Sequence, residues 1–315
     1  MKPMLVIFNP AAGRGRGLAT MPQVEAALRQ AGLEFEVAAT RAPLEAMKIA
    51  SQAPPHYSTV VCVGGDGTIH EIVNGLLRAS GEEETIPIGL VPLGTGDDFV
   101  KMLPPETPIG RRPFDWRAAV GKIARGQTQL FDVGRIVGDG SLPGSGNGPQ
   151  YLINSMDLGF GALASLNLAT IPKVFKGSFA YLAAVIKTML NYPCLHMQLS
   201  LDDQLPFHQS STLTAIMNGR CFGNGYWVCP DARADDGWLD LMVAQEVSRW
   251  TILRMIPKLM RGAHTGEPIL RMYRARKVVI ESQEPLVVEV DGETPFIAAR
   301  HLEVEMLPKR LRLLV

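Results

Sequence analysis

The residues in this sequence that are suited to chemistry lie in short polar turns that follow apolar runs. The most informative turn, residues 64–68, reads GGDGT and separates an apolar run at 60–63 from helical spacing at 69–77. This pattern predicts a buried strand, a glycine turn and a helix. Backbone N–H groups of such a turn bind phosphate, and the dipole at a helix N-terminus also favours an anion. Asp66 lies inside the turn and would repel phosphate, so its carboxylate indicates a nucleotide bridged by Mg²⁺.

Two further turns follow apolar runs in the same way. Residues 9–17 (NPAAGRGRG) lack the GxxxxGK[ST] spacing of a P-loop, so a solvated loop and a phosphate loop are equal alternatives there. Residues 92–99 (PLGTGDDF) place two glycines around Thr95, whose hydroxyl is suited to a phosphate or a ribose. Helix capping explains one of the two acids in that segment but not both. All three turns are therefore candidates for one anion-binding site.

The second half of the chain contains two acidic turns. Residues 230–240 (PDARADDGWLD) contain four aspartates, a composition that binds hard cations, although a solvated turn is the interpretation we favour from the residues alone. Asp291-Gly292 predicts a hairpin turn. Glu293 is a candidate general base if that turn faces a cleft. The six histidines lack metal-ligand spacing, and His70 is expected at the surface or rim of a helix.

Alternating strands and helices position these turns in the first part of the chain. Apolar runs predict strands at 5–8, 34–38, 59–63 and 88–91, and helical spacing predicts helices near 21–31, 44–53, 69–78 and 116–125. This alternation indicates a mostly parallel sheet with helices on both faces. Ligands of such sheets bind at the carboxyl ends of the strands. We therefore expect the polar turns, with the loop at 40–43, to meet at one edge.

The pattern changes near residue 128 to strands separated by turns. Seven strands are predicted, at 129–137, 151–156, 195–201, 211–218, 238–243, 277–282 and 285–290, with one helix at 178–190. This pattern indicates an antiparallel sandwich. We expect a nucleotide-binding α/β domain at residues 1–127, a β-sandwich substrate domain at 128–302, and residues 303–315 packed back on the first domain. The apolar helix either lines an acyl-chain groove or belongs to the core.

Composition excludes several classes of protein. Lys plus Arg equals Asp plus Glu at 31 each, so no overall charge attracts nucleic acid. The four cysteines form no CxxC pair and indicate reduced thiols in a cytoplasmic protein. The longest apolar stretch, near residues 179–190, is too short to span a bilayer. We expect no integral membrane segment and no nucleic-acid partner.

Six motifs, in this order and spacing, resemble the diacylglycerol kinase catalytic family, specifically its soluble bacterial lipid kinase branch. They are NPAAG at 9–13, GGDGTIHE at 64–71, PLGTGDDF at 92–99, FDVG at 131–134, DDGWLD at 235–240 and VDGE at 290–293. The resemblance covers nearly the whole chain. It implies a two-domain NAD kinase/diacylglycerol kinase-like fold. A Rossmann-like α/β domain and an antiparallel β-sandwich domain would enclose a cleft for ATP and lipid.

The resemblance also implies a role for individual residues. Glu293 would accept the proton of the acceptor hydroxyl, and the Asp66 turn with its Mg²⁺ would orient the triphosphate. Asp236, with the backbone carbonyls of Arg233 and Trp238, would hold a structural Mg²⁺. The implied nucleotide-binding residues are Asn9, Pro10, Ala11, Ala12, Gly13, Thr40, Gly65, Asp66, Gly67, Thr68, Ile69, His70, Glu71 and Thr95.

Two positions depart from the family pattern, since Asp97 stands where Asn is usual and His70 where Asn is frequent.

The implied activity is ATP- and Mg²⁺-dependent phosphorylation of a lipid hydroxyl, with diacylglycerol and its product phosphatidic acid as the default. The protein would then work from the cytoplasm at the inner face of the membrane. A kinase of a soluble acceptor such as NAD and a non-catalytic nucleotide- or lipid-binding regulator remain alternatives. Other lipid acceptors and a homodimer also remain open.

Overall fold

The computed structural model describes residues 2–315 apart from 95, 104–114, 142–147, 169, 173–177, 191, 193 and 224. The first part of the chain contains four strands, β1 (Met4–Phe8), β2 (Phe35–Ala39), β3 (Thr59–Gly64) and β4 (Ile88–Pro92). They form a parallel sheet in the order β2-β1-β3-β4. β3 and β4 are buried along their whole length, which explains their unbroken apolar sequences.

Helices cover both faces of this parallel sheet. They are α1 (Ala12–Gln30), whose residues 13–15 have non-helical backbone and belong to the loop after β1, α2 (Glu45–Ser51), α3 (Asp66–Ser80) and α4 (Trp116–Arg125). Successive residues of β1 point to opposite faces, so Leu5 and Ile7 pack with α2 and α3 while Val6 and Phe8 pack with α1 and α4. The α/β arrangement predicted from the sequence is confirmed.

The second part of the chain is built mainly from antiparallel strands. They are β5 (Thr128–Gly138), β6 (Gln150–Leu152), β7 (Ser155–Gly159), β8 (Leu195–Leu201), β9 (Phe207–Met217), β10 (Leu239–Gln245), β11 (Leu270–Ala275), β12 (Lys277–Val290) and β13 (Glu293–Leu314). A core of apolar side chains from β5 to β13 fills the space between them. This is the β-sandwich part that the sequence predicts.

Strand β13 connects the two parts of the molecule. Its first half pairs antiparallel with β12, and its last residues lie beside β4, where Leu313 is in register with Ile88. It also pairs antiparallel with β5. The main hydrogen-bonded path therefore runs β11-β10-β9-β7-β12-β13-β4-β3-β1-β2. The turn that precedes β13 is placed at the junction of the two parts.

Three helices flank the second sheet, α5 (Phe160–Leu168), α6 (Ser178–Leu190) and α7 (Arg249–Leu259). The sequence pattern predicts only α6. Helix α7 escapes prediction because it is short and contains Pro257, which argues against a helix interior. Among the described residues, no helix is long and apolar enough to cross a membrane.

Candidate active site

A cavity of about 970 Å³ opens at the carboxyl ends of the parallel strands. The loops after β1, β2, β3 and β4 form most of its wall, and the turn before β13 closes one side. Glu293 lines this cavity together with the residues expected at a nucleotide, which are Asn9, Pro10, Ala11, Ala12, Gly13, Thr40, Gly65, Asp66, Gly67, Thr68, His70 and Glu71. Polar turns that are far apart in the sequence therefore meet at one edge of the sheet, as such sheets require.

Two of the expected nucleotide residues are not part of this wall. Ile69 is 1% exposed and its side chain packs in the core, so its expected place at the nucleotide stays a prediction for its backbone alone. It follows the turn by one residue on the inward side of the helix, where an apolar side chain is buried. Thr95 lies outside the described residues.

The loop after β1 is fixed to the other loops of the cavity. Asn9 accepts a hydrogen bond from the Ala11 N–H at 2.9 Å and donates one to the Thr68 hydroxyl at 3.2 Å. Gly13 has a φ of +57°, and a Cβ built there would lie 2.2 Å from the Leu93 carbonyl oxygen. Only glycine fits such a close approach with this backbone conformation. The glycine of this loop therefore brings it against the segment after β4.

The GGDGT turn presents bare backbone to the cavity. Helix α3 begins at Asp66, and no side chain caps its first N–H groups. Gly65 lies back to back with Gly94, since a Cβ built on Gly65 would come within 2.9 Å of the Gly94 Cα. Uncapped N–H groups at a helix N-terminus form an anion-binding site. The turn thus has the geometry expected for a phosphate.

Three carboxyl groups lie beside this turn. Burial, together with the charges of Asp98 and Asp97, raises the pKa of Asp66 to about 7. Burial also raises the pKa of Asp97 to about 6. A Cβ built on Gly96 would lie 3.0 Å from Asp66 Oδ2 and 3.8 Å from Asp98 Oδ2, so both oxygens face one point of the wall. Carboxylate oxygens placed in this way fit a hard cation that accompanies phosphates.

The unusual Asp97 has a backbone explanation. Its φ is +52°, in the left-handed region that Asn and Asp adopt more readily than other residues with a side chain. Its Oδ1 accepts a hydrogen bond from the Gly94 N–H at 3.0 Å, which closes the loop after β4. Either residue type can make this contact. The substitution therefore keeps the loop geometry and adds a charge near the cavity.

Glu293 reaches the cavity from the second part of the chain. Its Oε1 lies 3.0 Å from the position of a Cβ built on Gly67, so the carboxyl group rests against the GGDGT turn. Burial raises the pKa of Glu293, an effect that the nearby His70 opposes. A carboxylate with a raised pKa is a stronger base. The candidate base and the candidate phosphate turn are thus neighbours across the junction.

The turn that carries Glu293 is held by Asp291. The carboxylate of Asp291 accepts hydrogen bonds from the N–H groups of Ile153, Asn154 and Ser155 at 2.9–3.0 Å. It also accepts one from His70 Nδ1 at 2.9 Å. His70 lines the cavity but is only 4% exposed, so of the two expected positions, surface or rim, the surface one is wrong. The charged partner Asp291, 221 residues away in sequence, is what allows a histidine to be buried there.

A second pair of buried carboxyl groups lies behind this turn. Asp157 and Glu289 face each other across β7 and β12. Burial and the charge of Glu289 raise the pKa of Asp157 well above its usual range. Glu289 in turn accepts hydrogen bonds from the Ser165 hydroxyl and, at 3.1 Å, from the Gly292 N–H. Burial therefore disfavours the ionised form of Asp157, and Glu289 helps to position the turn.

The acidic turn at residues 230–240 is compensated by arginine in this structure. Asp236 accepts a hydrogen bond from the Trp238 N–H at 3.2 Å, and its other oxygen pairs with the Arg274 guanidinium. Arg233 directs its side chain to Asp235 at 3.2 Å. No cluster of three acidic, His or Cys side chains suited to a metal is found within the described residues. Both carboxylate oxygens of Asp236 thus have protein partners in this structure, and the expected metal site at Arg233, Asp236 and Trp238 stays a prediction.

Several site residues were missed by sequence reasoning. Arg16 donates hydrogen bonds to the carbonyl groups of Leu93 at 3.4 Å and Gly94 at 2.9 Å, and so links two loops of the cavity. Asn74 joins α3 to β6 through the backbone of Tyr151. Neither residue carries a local signal, because each partner is more than 70 residues away in sequence.

A parallel sheet with glycine turns at its carboxyl edge, joined to an antiparallel sandwich that contributes a carboxylate, is the architecture of a two-part kinase. The model for the diacylglycerol kinase catalytic domain matches residues 3–136, and the model for the YegS C-terminal NAD kinase beta sandwich-like domain matches residues 154–315. The chain belongs to this family of bacterial lipid kinases.

Curated relatives and solved structures are similar to this chain along nearly its whole length. A diacylglycerol kinase of Bacillus subtilis (strain 168) is 27% identical over 297 residues, which cover 93% of this chain and 90% of the relative. The crystal structure of a diacylglycerol kinase from Bacillus anthracis str. Sterne has a TM-score of 0.71 at 20% identity, covering 99% of this chain and 96% of the other. An NAD kinase from Archaeoglobus fulgidus in complex with ATP has a TM-score of 0.53 at 12% identity, covering 99% and 93%. The two solved structures share the fold.

Proposed function

We propose that this protein transfers the γ-phosphate of ATP to a lipid hydroxyl, with diacylglycerol as acceptor and phosphatidic acid as product. One observation carries the proposal, namely that Glu293 of the second part lies against the Gly67 turn inside the large cavity. A proton acceptor beside a phosphate turn is the arrangement that phosphoryl transfer to an alcohol needs. Similarity to proteins named diacylglycerol kinase supports this choice of acceptor.

The nucleotide phosphates would lie on the turns after β1 and β3. N–H groups at the start of α3 would bind their oxygens, and the Asn9 contact to Thr68 would hold the two turns at a fixed spacing. Mg²⁺ that enters with the nucleotide would neutralise phosphate charge beside Asp66 and Asp98. Phosphates bound at this turn would be close to Glu293, because its Oε1 lies 3.0 Å from a Cβ built on Gly67.

Glu293 would then accept the proton of the attacking hydroxyl. Its pKa is raised by burial, which increases its basicity, while the nearby His70 limits the increase. Asp291 is anchored by three backbone N–H groups, so the turn holds the carboxylate of Glu293 in place without moving. Preorganisation of this kind lowers the barrier, because little reorganisation accompanies the reaction.

Transfer of radiolabel from γ-labelled ATP to a panel of lipids in vesicles tests the proposal. Glu293→Gln and Asp66→Asn should each lower kcat by at least about a hundredfold, as expected for a general base and for a charged group at the phosphates. Glu284→Gln and Asp203→Asn are matched controls, since both side chains are exposed and outside the cavity. Labelling of NAD rather than any lipid, or full activity of both cavity variants, would overturn the assignment.

A further inference from the structure

Helix α7 is apolar on the side that faces water as well as on the side that faces the protein. Its inward residues Ile252, Met255, Ile256 and Leu259 line a small, almost wholly apolar cavity against the second sheet. Its outward residues Trp250, Leu253, Pro257 and Met260 recur every three or four positions, the last one directly after the helix. Trp250 is 81% exposed and Met260 53%. A helix exposed to water normally has a polar outer face.

The neighbouring helices also carry exposed apolar side chains. Leu166 and Leu168 of α5 and Ile186 and Leu190 of α6 are between 38% and 57% exposed. Arg249 at the start of α7 donates a hydrogen bond to the Leu190 carbonyl at 2.7 Å, so the ends of α6 and α7 touch. Of the fourteen exposed large apolar side chains among the described residues, seven belong to these helices or to the residue that ends α7. We call the outer surface of α5, α6 and α7, together with Met260, the helical face.

The charge of the helical face has one sign. Residues 160–168, 178–190 and 249–261 contain no Asp or Glu, although the whole chain has equal numbers of acidic and basic residues. They contain five basic residues, Lys187, Arg249, Arg254, Lys258 and Arg261. Glu267 pairs with Lys258 and, at 3.7 Å, with Arg254, but the side chain of Arg254 remains 73% exposed. The surface therefore combines exposed apolar groups with a local positive charge.

We propose that the helical face binds the surface of an anionic bilayer. Trp250 and Leu253 would enter the boundary between head groups and acyl chains, where an aromatic ring with one polar edge is favoured. Arg254 and Arg261 would contact lipid phosphates. The proposal rests on the proposed function, because a lipid acceptor is reached only at a bilayer. A partner protein with an acidic groove would not need the long exposed apolar stripe around Trp250.

Sedimentation of the intact protein with vesicles, without ATP or diacylglycerol, tests the surface separately from catalysis. The wild type should bind mixed phosphatidylcholine and phosphatidylglycerol vesicles and leave pure phosphatidylcholine vesicles unbound. Trp250→Glu should weaken binding by about tenfold or more, and the double variant Arg254→Gln/Arg261→Gln by a similar factor with a smaller salt dependence. Leu205→Glu is the matched control, because Leu205 is 89% exposed on a β-hairpin away from the helices.

Two results would overturn the proposal. One is equal vesicle binding by the wild type, Trp250→Glu and Leu205→Glu. The other is a wild-type dimer in sedimentation velocity that Trp250→Glu converts to a monomer with vesicle binding unchanged, which would assign the surface to a second copy of the chain. Phosphorylation of a short-chain acceptor dissolved in water should be the same in Trp250→Glu and the wild type. If neither protein phosphorylated this acceptor, that result would instead count against the proposed function.

Discussion

Replacement of Asp66 by Asn should make the free protein more stable while it removes activity. The folded state holds the pKa of Asp66 at about 7, against an ordinary value of 3.8. Each unit of difference corresponds to about 1.4 kcal/mol between the two protonation states, so a fully dry site would be destabilised by about 4 kcal/mol at high pH. The side chain borders an open cavity, so we reduce this value to about 2–4 kcal/mol for screening by water.

The sign of the pH dependence follows from the raised pKa. The unfolded chain loses this proton near pH 4, whereas the folded protein retains it until about pH 7. The folded state of the wild type therefore loses stability between these values, and the loss is complete above pH 7. Asn cannot ionise, and its side-chain oxygen can still accept the hydrogen bond from the Phe99 N–H that Asp66 accepts at 3.4 Å. The Asp66→Asn variant should therefore not lose folding stability between about pH 4 and pH 7.

Urea unfolding at pH 5 and pH 8, with EDTA and without nucleotide, measures the effect. The free energy of unfolding of Asp66→Asn should exceed that of the wild type by about 2–4 kcal/mol at pH 8 and by clearly less at pH 5. Asp203→Asn, an exposed substitution, should leave both values unchanged within about 0.5 kcal/mol. A variant no more stable than the wild type at pH 8, or a gap that does not change with pH, would refute the reasoning.

Three further predictions concern the surroundings of the cavity. His70→Asn removes a group that lowers the pKa of Glu293, so the acid limb of the kcat profile should move to higher pH, and an unchanged limb would contradict this. Asp157→Asn relieves the buried contact with Glu289 and should raise Tm at pH 8 more than at pH 5, with equal shifts as the contrary result. Arg274→Gln should lower Tm by a few degrees in EDTA and allow Mg²⁺ to restore it, whereas the Tm of the wild type should respond less to Mg²⁺.

The position of the cavity was predictable from the sequence because its signals are local. The buried strand β3 is a run of β-branched residues, and the glycine turn follows at once, so strand, turn and helix are read from adjacent residues. Parallel pairing then brings the turns to one edge without further information. Ile69 shows that a sequence motif does not define which side chains line a site, because adjacent residues at the start of a helix face different environments.

The remaining features depend on contacts between distant parts of the chain. The burial of His70 requires Asp291, and the compensation of the acidic turn requires Arg274, 38 residues after Asp236. No local pattern encodes either partner. Helix α7 is obscured for another reason, because Pro257 lies inside a segment of only 11 residues and argues against a helix there.

The long strand β13 also constrains the order in which this chain acquires its structure. Among the described residues of the first part, no strand pairs with the edge of β4 that Leu313 covers. During synthesis, the α/β part therefore exposes an unpaired buried strand until the residues around 313 have left the ribosome. Exposed edges of this kind pair with other chains, so a nascent protein of this type is open to aggregation or chaperone binding for most of its translation.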